Sequence, residues 1–149
     1  MKALKWWLRI VGSLYLIEGI GVTAQALFVP AQFAALWASV PAETLDAIAV
    51  RGMLVAGMPG VLTWVLLGAM MWIFSGAAGA GARMLVIVVA AWELLVWAPL
   101  DVFGLLNGFE VGRVAALVAI HALIGVSGIL VLRRAPTAAI GAAVPAGRV

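Results

Sequence analysis

The chain has 149 residues, 66% of them hydrophobic and 10% charged, with a mean hydropathy of +1.22; soluble domains carry about 25% charged residues, so an ordinary water-soluble fold is excluded. A net charge of +3 does not indicate a nucleic-acid partner here, because the basic residues flank apolar runs, where they act as topology signals. The absence of cysteine and the single histidine exclude thiol redox chemistry, cysteine metal ligands and any site needing several imidazoles, bis-histidine haem included.

The length allows one domain with about four membrane-crossing helices of ~20 residues. The expected fold class is therefore all-α, a polytopic four-helix transmembrane bundle. The first apolar run covers 6–28, behind Lys2 and Lys5. Ala24-Gln25-Ala26 resembles a signal-peptidase site, but Arg9 and Glu18 interrupt the run where a signal peptide needs an unbroken apolar core, so a retained helix is expected.

Pro30 is expected to end that helix, and Ala31 to Ser39 to form a short interfacial helix with Phe33, Leu36 and Trp37 on one side. Pro41 suits the first turn of the next helix, with Glu43 and Asp46 near its positive end. The second span, 53–74, contains Pro59, which removes a backbone hydrogen bond and predicts a kink. Gly52, Ala56 and Gly60 recur every four residues, the pattern of a close helix–helix approach.

Ser75 to Ala82 reads as a flexible Gly/Ala linker. The third span covers 83–106, and Asn107-Gly108 supplies a helix stop. So short a connection to the fourth span, 112–132, makes these two helices antiparallel neighbours. Residues 135–149 lack periodicity and read as a disordered tail.

With four spans, seven Lys and Arg residues (Lys2, Lys5, Arg9, Arg83, Arg133, Arg134 and Arg148) share one side, against Arg51 and Arg113 on the other. The positive-inside rule then makes both termini cytoplasmic.

Counting ~1.5 Å per residue from the cytoplasmic ends puts Glu18 at ~18 Å, Glu93 at ~15 Å, and His121 and Thr63 at ~16 Å. A charge at the bilayer centre costs about 2.5–3.5 kcal/mol on insertion scales, so these groups are expected to face inward and meet. Tyr15 lies one turn from Glu18, and Gly125 and Gly128 on the face of His121 make room for a close neighbour. Two chemical roles fit such a layer: helix packing by a hydrogen-bonded Glu-His-Glu set, or a proton or ligand site. Two carboxylates and one imidazole could form a facial metal triad on paper, but no sequence spacing supports a metal.

A second polar set, Gln25, Asp101 and Arg113, falls at ~27–29 Å, with Arg51 at ~34 Å. Asp101 lies about 80° around the helix from Glu93, so both can look toward the bundle interior; an Asp101–Arg113 pair is expected to lock the helix ends, the alternative being an entrance or head-group site on the outer face. Trp6, Trp7, Trp72 and Trp37 read as interfacial anchors. Trp64, Trp92 and Trp97 fall at mid-membrane depth, where they could line a pocket for a flat apolar ligand such as a quinone or aromatic compound.

The stretch from Glu93 to Arg134 carries a family resemblance. Its elements are Glu93 on its helix, Asp101 followed by Asn107-Gly108-Phe109, then Ile120-His121-Ala122 and Gly128-Ile129-Leu130-Val131-Leu132-Arg133-Arg134. It resembles the small BphX-like membrane proteins and, more loosely, the DoxX-like four-helix proteins, with Asn107 standing where the family pattern has arginine. The resemblance implies a four-helix inner-membrane protein of undefined biochemical activity. Without a nucleophile–base pair, phosphate loop or metal motif, the residues do not point to an enzyme or to a bound cofactor. The expected function is an accessory protein that binds or passes a small apolar, aromatic or quinone-like compound; the alternative is a structural or assembly subunit of a membrane complex. The expected partners are the lipid bilayer and such a ligand or complex, and exposed small-residue rows permit a homo-oligomer.

Overall fold

A computed structural model describes residues 2–38, 40–76, 79–107, 109 and 111–134. The proposed tail and the Gly108 helix stop lie outside these residues. The chain is an all-α bundle with six helical segments: α1 Lys2–Phe28, α2 Pro30–Ala38, α3 Ala47–Ser75, α4 Ala80–Trp92, α5 Ala98–Leu106 and α6 Val111–Arg134. A single π-helical turn, Glu93–Trp97, joins α4 to α5. Among the described residues, four helices are long and apolar enough to cross a membrane: α1, α3, the combined Ala80–Leu106 and α6. Each extends the corresponding sequence-predicted span at one or both ends. The linker before the third span is accordingly shorter than expected, since α4 already begins at Ala80.

The bundle consists of two antiparallel pairs, α1 against α3 and the α4–α5 span against α6. Large apolar side chains such as Ile17, Leu66, Leu95 and Leu123 remain exposed on its outside. In a membrane their solvent is hydrocarbon, so this surface carries no penalty. The end holding the N-terminus is called the near side here, and the end holding α2 the far side.

The near half is solid. Leu4, Trp7, Leu8 and Val11 of α1 interlock with Met71 of α3, Ala82, Leu85, Val86 and Val89 of α4, and Ile124 of α6. Trp7 is therefore a core residue, its indole N–H donating to Ser127 Oγ at 2.9 Å, whereas Trp6 and Trp72 stay exposed as border residues do. The close α1–α3 approach runs through Gly12, Gly19 and Gly68. A Cβ on Gly68 would lie 2.9 Å from the Gly12 carbonyl oxygen and 3.0 Å from the Leu16 nitrogen. The Gly52–Ala56–Gly60 row does not serve this purpose: nothing lies within 4 Å of a Cβ added at Gly52 or Gly60.

On the far side, Pro30 starts α2 rather than merely ending α1, because proline at a first helical position lacks only an N–H that would be unpaired anyway. The α2 helix folds over the α1–α3 pair instead of floating at the interface. Its Phe33 is 0% exposed and seats its ring where a Gly57 side chain would be. A 3-10 turn, Ala42–Thr44, follows Pro41. Asp46 then caps α3, its carboxylate accepting from the Ala49 N–H at 2.7 Å. Asp46→Ala should cost about 1 kcal/mol, the usual value of such a cap, readable as a lower thermal midpoint in detergent. Pro59 stays within one continuous α3, where the Thr63 hydroxyl donates to the Pro59 carbonyl at 2.8 Å.

Candidate functional site

The site begins at the π turn. Ala98 N–H donates to the Glu93 carbonyl five residues back, in place of the usual four. Pro99, at the start of α5, has no N–H to give and would crowd the carbonyl four residues before it in a regular helix. The wide turn sits immediately before it. A π turn adds in effect one residue to a helical turn, shifting everything beyond it by ~100°. Glu93 and Asp101, about 80° apart on a regular helix, thereby come within ~20° of one face.

That face looks at His121 on α6. Its Nδ1 meets Glu93 Oε2 in an ion-pair contact, and its Nε2 lies 3.4 Å from Asp101 Oδ2. The Tyr15 hydroxyl of α1 donates to the other Glu93 oxygen, Oε1. The result is a polar chain, Tyr15–Glu93–His121–Asp101, crossing three spans. Asp101 Oδ2 is buried with no hydrogen-bond partner among the described residues, so its tie to His121 is one of charge and not a hydrogen bond. Glu93 is 1% exposed and both its oxygens are engaged. Gly125, one turn on from His121, makes the approach feasible: a Cβ there would collide with Leu94 Cγ in the π turn.

An aromatic ladder reaches the same histidine from the far side. Phe33 to Trp37 is 6.0 Å between ring centroids, Trp37 to Trp64 6.1 Å and Trp64 to Trp97 5.3 Å. Trp97 then stacks on His121 at 5.8 Å with 15° between the planes. Where ladder and polar chain meet, a cavity of about 670 Å³ opens in the far half. Trp37, Trp64 and Trp97 wall it, with Phe103 and Phe109; Glu18, Asp101, Asn107, His121 and Arg113 supply its polar lining.

The sequence-predicted residues divide as follows. Tyr15, Glu93, His121 and Trp97 come together, and Asp101 joins them. Glu18 faces the cavity, exposed and within electrostatic reach of His121, but among the described residues it shares no hydrogen bond or ion pair with Glu93. The expected Glu-His-Glu set is thus a Glu-His-Asp set, with tyrosine on the buried glutamate. Thr63 is bound to its own helix and stands outside the cavity lining. Asp101 turns to His121 rather than pairing directly with Arg113, which lies only within electrostatic reach of it. Arg51 and Gln25 are exposed and stand apart from this group.

Trp92, expected with Trp64 and Trp97, lies outside the lining, and Trp37, expected as an interfacial anchor, takes its place. The π turn was not anticipated, although Pro99 inside a span was its available signal. Among the described residues, no group of His, Asp and Glu side chains has the makings of a metal site.

The arrangement can hold a flat apolar body against indole faces while offering charged and hydrogen-bonding groups at one end. No protein-family model, curated protein or solved structure matches this chain.

Proposed function

We propose that this protein holds or passes a small, largely apolar and aromatic compound inside the membrane, in the cavity between its far-side helices. The observation that carries the reading is the meeting of tryptophan ladder and polar chain at one cavity of about 670 Å³, within the 300–1,000 Å³ range of small-molecule sites. The two halves of the polar set then have different tasks. Glu93 and Tyr15, buried and satisfied by each other and by His121, hold three spans in register. His121, Asp101 and Glu18 face the ligand.

A bacterial inner membrane with cytoplasmic termini is part of this reading. It is supported by the near-side cluster of Lys2, Lys5, Arg9, Arg83, Arg133 and Arg134 against far-side Arg51 and Arg113. So is the BphX-like resemblance of Glu93 to Arg134, which stands on the residues quoted above.

The test is gentle purification followed by mass spectrometry of what accompanies the protein, repeated with Trp97→Ala. The expected result is an aromatic compound present with the parent chain and depleted at least severalfold with the variant. Bulk phospholipid alone in both samples would leave the polar set with a packing role only, the assembly-subunit alternative.

A further inference from the structure

Among the described residues the charges around the cavity do not balance: three carboxyl groups, Glu18, Glu93 and Asp101, face two basic groups, His121 and Arg113. The nitrogens of His121 are committed to Glu93 and Asp101, and Arg113 lies in the field of Asp101. From α2 and α3 the cavity receives Leu36, Trp37 and Trp64, none of them charged. Glu18 is left facing the cavity with no hydrogen bond or ion pair among the described residues. A carboxylate in that position needs a proton or a cation.

The walls match a cation as well. Indoles are the strongest cation–π partners among side chains, and three of them, Trp37, Trp64 and Trp97, line the same space as Glu18. The Trp37 and Trp97 indole N–H groups are buried and unpartnered in the protein, not exposed to the cavity. A neutral quinone could accept from Arg113 or Asn107 in the lining, but it would bring no counter-charge to Glu18.

Resting on the binding reading above, we infer that the cavity takes a lipophilic organic cation, a substituted ammonium or phosphonium, whose charge sits against Glu18 while its apolar arms stack on the three tryptophans. Without the ligand, Glu18 keeps a proton. Binding replaces it: Glu18–COOH and the cation give the carboxylate–cation pair and one proton released to solvent. Uptake of cation and loss of proton are thus opposed at one carboxylate, and affinity rises by up to tenfold per pH unit while Glu18 starts protonated.

The experiment titrates the purified full chain in detergent with tetraphenylphosphonium at pH 6, 7 and 8, read by calorimetry and tryptophan fluorescence. Tetraphenylborate, of the same shape and opposite charge, and a short-chain benzoquinone serve as comparison probes. Expected are saturable cation binding that tightens with pH, release of about one proton per cation by linkage, and no tetraphenylborate binding. Glu18→Gln should lose at least tenfold in affinity at an unchanged thermal midpoint, and Glu18→Asp should keep the pH dependence. Cation affinity unaffected by Glu18→Gln, or benzoquinone binding without cation binding, would overturn the inference and leave the aromatic-ligand reading standing. Binding of none of the three probes would overturn both.

Discussion

Glu93→Leu is expected to lower the stability of the purified bundle by about 3–5 kcal/mol, the range for removing one member of a buried charged pair. The loss comes less from the missing bonds than from what they leave behind. The Tyr15 hydroxyl and His121 Nδ1, both now engaged by Glu93, would be stranded in an apolar interior. Adding Tyr15→Phe and His121→Leu removes the stranded groups and should restore a large part of the thermal midpoint, although the cavity would lose its histidine. A triple variant no more stable than Glu93→Leu alone would show that the polar chain is not the clamp between these spans. Glu93→Gln, which keeps the shape but not the charge, should fall between the two.

The second large effect concerns the α1–α3 seam. Gly68→Val is expected to cost about 1–3 kcal/mol, as overpacked cores do. The atoms it meets include backbone, the Gly12 oxygen at 2.9 Å and the Leu16 nitrogen at 3.0 Å, which no rotamer change can move. Since the added Cβ itself collides, Gly68→Ala should already be harmful. Gly60→Ala on the same helix has open space around its Cβ and should leave the midpoint within experimental error. Equal effects at the two positions would mean that the seam is not where the helices touch.

Those two glycines also show what the sequence could and could not convey. Membrane spans were readable because four apolar runs of sufficient length can be little else, and helix rise alone brought Glu93 and His121 to one depth, with Tyr15 a turn from Glu18. The Gly52–Ala56–Gly60 row was an equally clear pattern, yet in a chain with 17 glycines spacing does not say which row meets a neighbour. Asp101 was readable as looking inward with Glu93, but its place beside His121 was not, because it depends on the π turn that brings the two carboxylates to one face. Trp37 depended on where α2 would fold, a tertiary decision that no local periodicity records. Glu18 was placed at the right depth, but its facing of the cavity rather than Glu93 depends on helix rotation, which depth does not specify.

The contrast between the two halves of the bundle has one more consequence. With Leu8, Val11, Met71, Val86 and Val89 filling the near half and the tryptophan-lined cavity in the far half, the described residues are packed at one end and hollow at the other. On the proposed binding reading, a compound seated on Trp97 would have the packed residues of the near half between it and the other face of the bilayer, and crossing would require that part of the protein to come apart first.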